Sequence, residues 1–157
     1  GDDTGVSVGH ERGIIDSNIY NDGTGASVLT GGRRFSDSCS TDIFIHMDGQ
    51  EVFKFAVKSV PTAIETLLHN NNMDVNDVDK FILHQANVRI IESVAKRLKA
   101  DKDKFPVNLN EYGNTSSASI PILLDELNRN GSLKQGEKLV LAGFGAGLSW
   151  GSILLVW

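Results

Sequence analysis

An α/β fold, a mixed β-sheet packed with α-helices, is predicted by three observations. Short apolar β-type runs alternate with longer segments whose apolar residues recur at helical spacing. The chain ends on two strand-like runs, 138–142 and 150–157, joined by a Gly-rich turn, which reads as a terminal hairpin. With 157 residues, 40% of them hydrophobic and 22% charged, there is enough material for one domain with a sizeable core.

Between Val6 and Val28, runs such as Gly13-Ile14-Ile15 are punctuated by turn signals at Asn21-Asp22-Gly23 and Gly31-Gly32, which predicts strands. From Arg33 to Asp42 the sequence is polar, Ser-rich and aperiodic, a surface excursion that carries Cys39. Ile43-Phe44-Ile45-His46-Met47 reads as a strand. From Glu51 onward Val52, Phe53, Ala56, Val57 and Val60 share a helical face that Ile64, Leu67 and Leu68 continue, and Pro61 predicts a kink or split in that helix. Residues 77–83 rise from polar to Phe81-Ile82-Leu83, a short buried strand that delivers His84 at its carboxyl end. Ile91, Val94, Ala95 and Leu98 form the inner face of a second helix, with Arg89, Lys96 and Arg97 away from it. A third helix is predicted after Ser116 and Ser117 as caps, with Pro121 in its first turns and Asn130-Gly131 ending it.

Composition narrows the function classes. A net charge of −5 argues against nucleic acid, because neutralising phosphates needs an excess of Lys and Arg. Cys39 is the only cysteine, so no internal disulfide can form, which fits a reducing cytosol and a cytoplasmic location. The chain opens on Gly1-Asp2-Asp3-Thr4-Gly5 without an initiator Met or a basic and apolar leader, and no apolar run approaches the roughly 18 residues of a membrane span. Neither secretion nor membrane insertion is expected. His10, His46 and His69 have no companion ligands at metal spacing, so no metal site is expected.

In α/β folds ligands gather at the carboxyl ends of strands, and His84, Asn114 and Gly145 are placed there by this reading. An imidazole and a carboxamide fixed at such ends can donate hydrogen bonds to one oxygen on which negative charge develops, an oxyanion or enolate site. Asn114 cannot transfer a proton at neutral pH, so the pair suits carbanion chemistry next to a carbonyl better than hydrolysis. Phe144-Gly145-Ala146-Gly147 would let a substrate approach backbone amides closely. Each residue also has a plainer reading: His84 as a satisfied structural histidine, Asn114 as a turn or cap, the glycines as a tight hairpin. Cys39 has no neighbouring His, Lys or helix start to lower its thiol pKa, so it makes a poor nucleophile. Between Asn87 and Lys104, six basic residues face three acidic ones for a local net charge of +3, either a solvated helix face or a dock for an acidic partner.

Taken in order, several segments resemble the C-terminal half of β-ketoacyl-acyl carrier protein synthase III, of the thiolase-like superfamily. They are Gly1-Asp2-Asp3-Thr4-Gly5, Met47-Asp48-Gly49-Gln50-Glu51-Val52-Phe53-Lys54, His84-Gln85-Ala86-Asn87-Val88-Arg89, Tyr112-Gly113-Asn114-Thr115-Ser116-Ser117-Ala118-Ser119 and Gly143-Phe144-Gly145-Ala146-Gly147-Leu148-Ser149-Trp150-Gly151. The resemblance implies a thiolase-like half-fold across residues 1–157, with a Cys, His and Asn catalytic set of which His84 and Asn114 are two. The Cys would belong to an N-terminal half that is absent here. It would take an acyl group from acyl-CoA, and His84 and Asn114 would hold the malonyl thioester oxygen while decarboxylation generates the attacking carbanion.

The resemblance further implies that Gly49, Gln50, Phe53 and Asn87 line a pantetheine channel and that Phe144 bounds the acyl site. Gln50 departs from the Asn common at its position. The backbone amide of Ala146, where Gly is frequent, would serve as an oxyanion donor. Arg89, Lys54, Lys96 and Arg97 would dock the acidic acyl carrier protein. CoA thioesters and phosphopantetheine would be substrates, with no cofactor, and the complete enzyme would be a homodimer. This half alone is expected to be inactive. Two other readings are a related thiolase-fold acyltransferase of secondary metabolism and a non-catalytic module that binds CoA or carrier protein.

Overall fold

The computed structural model describes residues 12–31 and 44–157, so Cys39, His10 and the opening Gly1-Asp2-Asp3-Thr4-Gly5 lie outside the described residues. Among the described residues six strands are present: β1 (Gly13–Asn21), β2 (Leu29–Gly31), β3 (Ile45–Met47), β4 (Lys80–Leu83), β5 (Lys138–Gly145) and β6 (Ser149–Val156). The main sheet runs in the order β1-β6-β5-β4, with β4 and β5 parallel and the other pairs antiparallel, while β2 and β3 form a separate two-stranded ladder. The α-helices among the described residues are α1 (Gly49–Asn70), α2 (Val88–Leu98), α3 (Leu109–Tyr112) and α4 (Ser119–Arg129). This is the mixed sheet with helices that the sequence predicts, including the β5-β6 hairpin.

Strand β4, at one edge of the main sheet, explains the layering. Phe81 and Leu83 pack into one core with Ile64, Leu67 and Leu68 of α1 and Ile91, Val94 and Ala95 of α2. Ile82, pointing the other way, joins Leu123 and Leu127 of α4 and Leu139 of β5. A strand covered on both faces needs an unbroken apolar run, which is what Phe81-Ile82-Leu83 supplies. Beside it Phe105 stacks on Phe81 with ring centroids 4.7 Å apart.

Pro61 neither splits nor ends α1, contrary to the sequence expectation: one helix runs through it, and Pro61 is buried. The carbonyl that a residue-61 N–H would have bonded belongs to Val57, and the Arg97 guanidinium donates to it over a long 3.5 Å. Packing of Val60, Ala63 and Ile64 in the core holds the helix together across the missing bond.

The third helix also starts differently. Ser116 and Ser117 do not cap it: they lie in a 3-10 turn, Ser116–Ala118, and α4 begins at Ser119 with no side-chain cap. Its C-terminal end is where Asn130-Gly131 predicts, with Gly131 at φ 74°. Asn114 does not follow a strand, because the short helix α3 precedes it. Gly113, at φ 67°, turns the chain from that helix into Asn114. No helix among the described residues is long and apolar enough to cross a membrane.

Candidate active site

His84 is held from three directions. Its backbone N–H donates to the Ala142 carbonyl of β5 at 2.9 Å, and its own carbonyl accepts the Ala86 N–H at 2.9 Å. The imidazole Nδ1 lies 2.7 Å from the Ser119 hydroxyl at the start of α4. The Phe144 ring meets the imidazole edge to face with centroids 5.4 Å apart. Phe144 is itself buttressed by Phe55, Phe55 by Trp150, and Trp150 stacks on Tyr20, so a row of aromatic rings runs from β1 to the histidine. Burial holds the His84 pKa below its ordinary 6.5, because desolvation penalises the imidazolium. The ring is therefore neutral at neutral pH and can donate from one nitrogen while accepting at the other.

Gln85, fully buried, fixes the turn after β4. Its amide donates to the Leu83 carbonyl at 2.8 Å and its Oε1 accepts the Asn108 N–H at 3.3 Å. Asn108 in turn donates to Glu126 of α4 at 2.8 Å. These bonds tie the His84 turn to the segment that leads through α3 to Asn114. The Asn114 Oδ1 accepts the Ser116 N–H at 2.9 Å, which orients the amide and leaves its NH2 to donate.

Both polar groups open on one cavity of about 740 Å3. His84, Asn114, Ser119, Phe144, Gly145 and Ala146 contribute to its wall at the chemical end. Leu29, Ile45 and Met47 from the β2-β3 ladder, with Val52 and Ile120, make the rest largely apolar. Ala146 has a φ outside the positive range, so its methyl group is accommodated without strain. A neutral imidazole N–H and a carboxamide NH2 beside an apolar cavity can together stabilise an oxyanion.

Four of the residues expected at the site, His84, Asn114, Phe144 and Ala146, are thus brought together. Gly49, Gln50, Phe53 and Asn87 do not line this cavity, although Met47, Val52 and Ala86 close to them in the chain do. Gly49 and Gln50 form the exposed first turn of α1, where Asp48 caps the Gln50 and Glu51 N–H groups at 3.0 and 3.1 Å. The Asn87 side chain caps α2 through the Arg89 N–H at 2.8 Å. Arg89 places its guanidinium 5.8 Å from the centre of the Phe53 ring. Lys54 pairs with Glu51 at 2.7 Å, an exposed contact whose hydrogen bond raises the Lys54 pKa. Lys96 is exposed in the last turn of α2, and Arg97 is spent in part on the Val57 carbonyl. Among the described residues no three His, Cys, Asp or Glu side chains cluster as metal ligands would.

Sequence reasoning missed Ser119. Its partner lies 35 residues earlier, and no local pattern joins the two.

Residues 68–157 match the family model described as 3-oxoacyl-[acyl-carrier-protein (ACP)] synthase III C terminal. The chain is 42% identical over 174 aligned positions to the β-ketoacyl-[acyl-carrier-protein] synthase III of Clostridium tetani, with all of this chain and 52% of that protein covered. To that of Pyropia yezoensis it is 54% identical over 113 positions, covering 72% of this chain and 35% of the relative. Among solved structures, β-ketoacyl-[acyl carrier protein] synthase III from Thermus thermophilus superposes with a TM-score of 0.85 at 38% identity, over 93% of this chain and 46% of that one. The priming β-ketosynthase of the R1128 polyketide pathway superposes with a TM-score of 0.83 at 35% identity, over 92% and 45%. The chain spans about half the length of the curated relatives it matches.

Proposed function

The chain belongs to the 3-oxoacyl-[acyl-carrier-protein] synthase III family, and from that premise we propose that it is the C-terminal, His- and Asn-bearing half of a decarboxylative condensing enzyme. In this reading a cysteine of the other half takes the acyl group from acyl-CoA. His84 and Asn114 then donate to the thioester oxygen of malonyl-acyl carrier protein as carbon dioxide leaves. The carbanion so formed attacks the acyl-cysteine carbonyl, whose oxygen accepts from the Ala146 N–H, and the C–S bond breaks to release the cysteine thiolate as the 3-oxoacyl product forms. CoA thioester and phosphopantetheine are substrates, and the reaction needs no cofactor.

One observation carries this reading: His84 and Asn114 share a single cavity, and each has its inner polar atom already occupied, Nδ1 by Ser119 and Oδ1 by the Ser116 N–H. With the ring proton on Nε2, what remains to face a substrate is a pair of donors. A negatively charging oxygen is the ligand that such a pair serves best. Support for a second half comes from the sheet. On the α1 face of β1, Asn18 donates to the Ala63 carbonyl and Asp16 accepts from Asn71. Elsewhere on β1, Ile15 at 49% and Ile19 at 77% exposure leave an apolar surface uncovered.

The chain alone, given acetyl-CoA and malonyl-carrier protein, is expected to form no acetoacetyl product, for want of the nucleophile that divides the reaction into two steps. A thioester on Cys39 during turnover would overturn this. Carrier-protein docking falls to Arg89, Lys54, Lys96 and Arg97 on the adjoining helices α1 and α2. Arg89→Glu should weaken carrier-protein binding far more than CoA binding, with the difference shrinking as salt rises. Equal losses would mean that Arg89, through its contact with Phe53, shapes the pantetheine channel instead.

A further inference from the structure

The Ser119 hydroxyl sits where three parts of the site meet, and its hydrogen-bond capacity is almost fully determined. It is 2% exposed, so water does not complete its bonding. One lone pair accepts the buried Gln85 N–H at 3.2 Å. The other close contact is His84 Nδ1 at 2.7 Å, and among the described residues no further acceptor lies in hydrogen-bonding geometry to the hydroxyl. A serine hydroxyl has one proton to give, and burial penalises leaving it unpaired. The arrangement that satisfies every group has Ser119 donate to Nδ1. Nδ1 is then the bare nitrogen, and the ring proton is on Nε2. The opposite tautomer, Nδ1–H donating to Ser119, would strand the serine proton.

We propose that Ser119 is a positioning residue that locks His84 in the Nε2–H tautomer and so turns a donor rather than an acceptor toward the cavity. The inference rests on the condensing-enzyme reading for its purpose, but not for its geometry. A histidine serving as a base toward the cavity would need a bare Nε2, so the tautomer decides which chemistry His84 can perform. Gln85 takes part through its main chain. Its side chain is anchored to Leu83 and Asn108, which holds its N–H on the serine and keeps the serine lone pair occupied. Because Ser119 is the first residue of α4, the lock also fixes the helix that follows the Asn114 loop against the end of β4.

The test is the 15N spectrum of the His84 ring in this chain, where protonated and bare imidazole nitrogens resonate far apart. At a pH above 7 the expected result is a single neutral tautomer with the proton on Nε2. In Ser119→Ala the two tautomers should mix, and Ser119→Thr, which keeps the hydroxyl, should restore the single form. An Nδ1–H ring in the unaltered chain, or a Ser119→Ala spectrum unchanged from it, overturns the proposal. Should Ser119→Ala fail to fold, the unaltered chain's spectrum still decides. In the complete enzyme Ser119→Ala should slow malonyl decarboxylation about tenfold or more, as loss of a histidine-orienting partner does at metal sites, with little change in the KM for acyl-CoA. The spectrum reads the tautomer whatever reaction is catalysed. A confirmed tautomer without any decarboxylation defect would therefore count against the condensing role and leave the lock standing.

Discussion

His84 is the residue on which most of the local geometry converges, and its environment sets a measurable dependence on pH. Burial lowers its folded pKa from 6.5, so between the two values the unfolded chain binds more protons than the folded one. The associated stability is fully present above pH 6.5 and is lost as the pH falls below it, until the folded pKa is passed. Denaturant melts of the chain and of His84→Asn across this window should show the unaltered chain losing stability relative to the variant. Parallel curves would mean that the ring is not desolvated. Gln85 makes a second residue-scale case, because its side chain bridges two buried backbone groups. Gln85→Ala strands the Asn108 N–H and should cost about 1–3 kcal/mol in a urea melt. His84 was legible in the sequence because Phe81-Ile82-Leu83 reads as a short buried strand that delivers the next residue at its end. Ser119 and the Gln85 bridge were not, since their partners are 35 and 23 residues away and hydrogen bonds across folds leave no periodicity.

At the scale of elements, helix α1 shows where local rules hold and where packing overrides them. Its start follows the rules: Asp48 caps two N–H groups, so Asp48→Ala should lower stability by about 1 kcal/mol. That loss would appear in thermal melts of the chain and would fray the exposed Gly49-Gln50 turn. Its middle does not follow them. Pro61 predicts a kink or split, yet one helix runs through it, with a buried face continuous from Val52 to Leu68. Helix α4 gives the opposite lesson. Serines at 116 and 117 have the right chemistry for caps, but the chain between Gly113 and Ala118 is shaped by the Asn114 amide, which takes the Ser116 N–H and sets that loop before the helix begins. The strands gave little such trouble, because alternation and continuous apolar runs report burial directly.

At the scale of the whole molecule, the chain spans about half of its relatives' length, and in the proposed reading it supplies His84 and Asn114 while the cysteine comes from the other half. The central claim is that His84 acts on the malonyl thioester after acyl loading, as a hydrogen-bond donor. It is tested most directly in the complete enzyme by following His84→Ala with two separate readouts, acyl-enzyme by mass spectrometry and carbon dioxide release from malonyl-carrier protein. The prediction is that the cysteine still acylates while decarboxylation slows by a factor of about 100 to 1,000, the usual loss for one oxyanion donor. Asn114→Ala should behave alike, and the double variant should lose less than the two single losses combined, because both groups serve one oxygen. Abolished acyl loading with decarboxylation intact would contradict the account, for it would make His84 the base of the thiol.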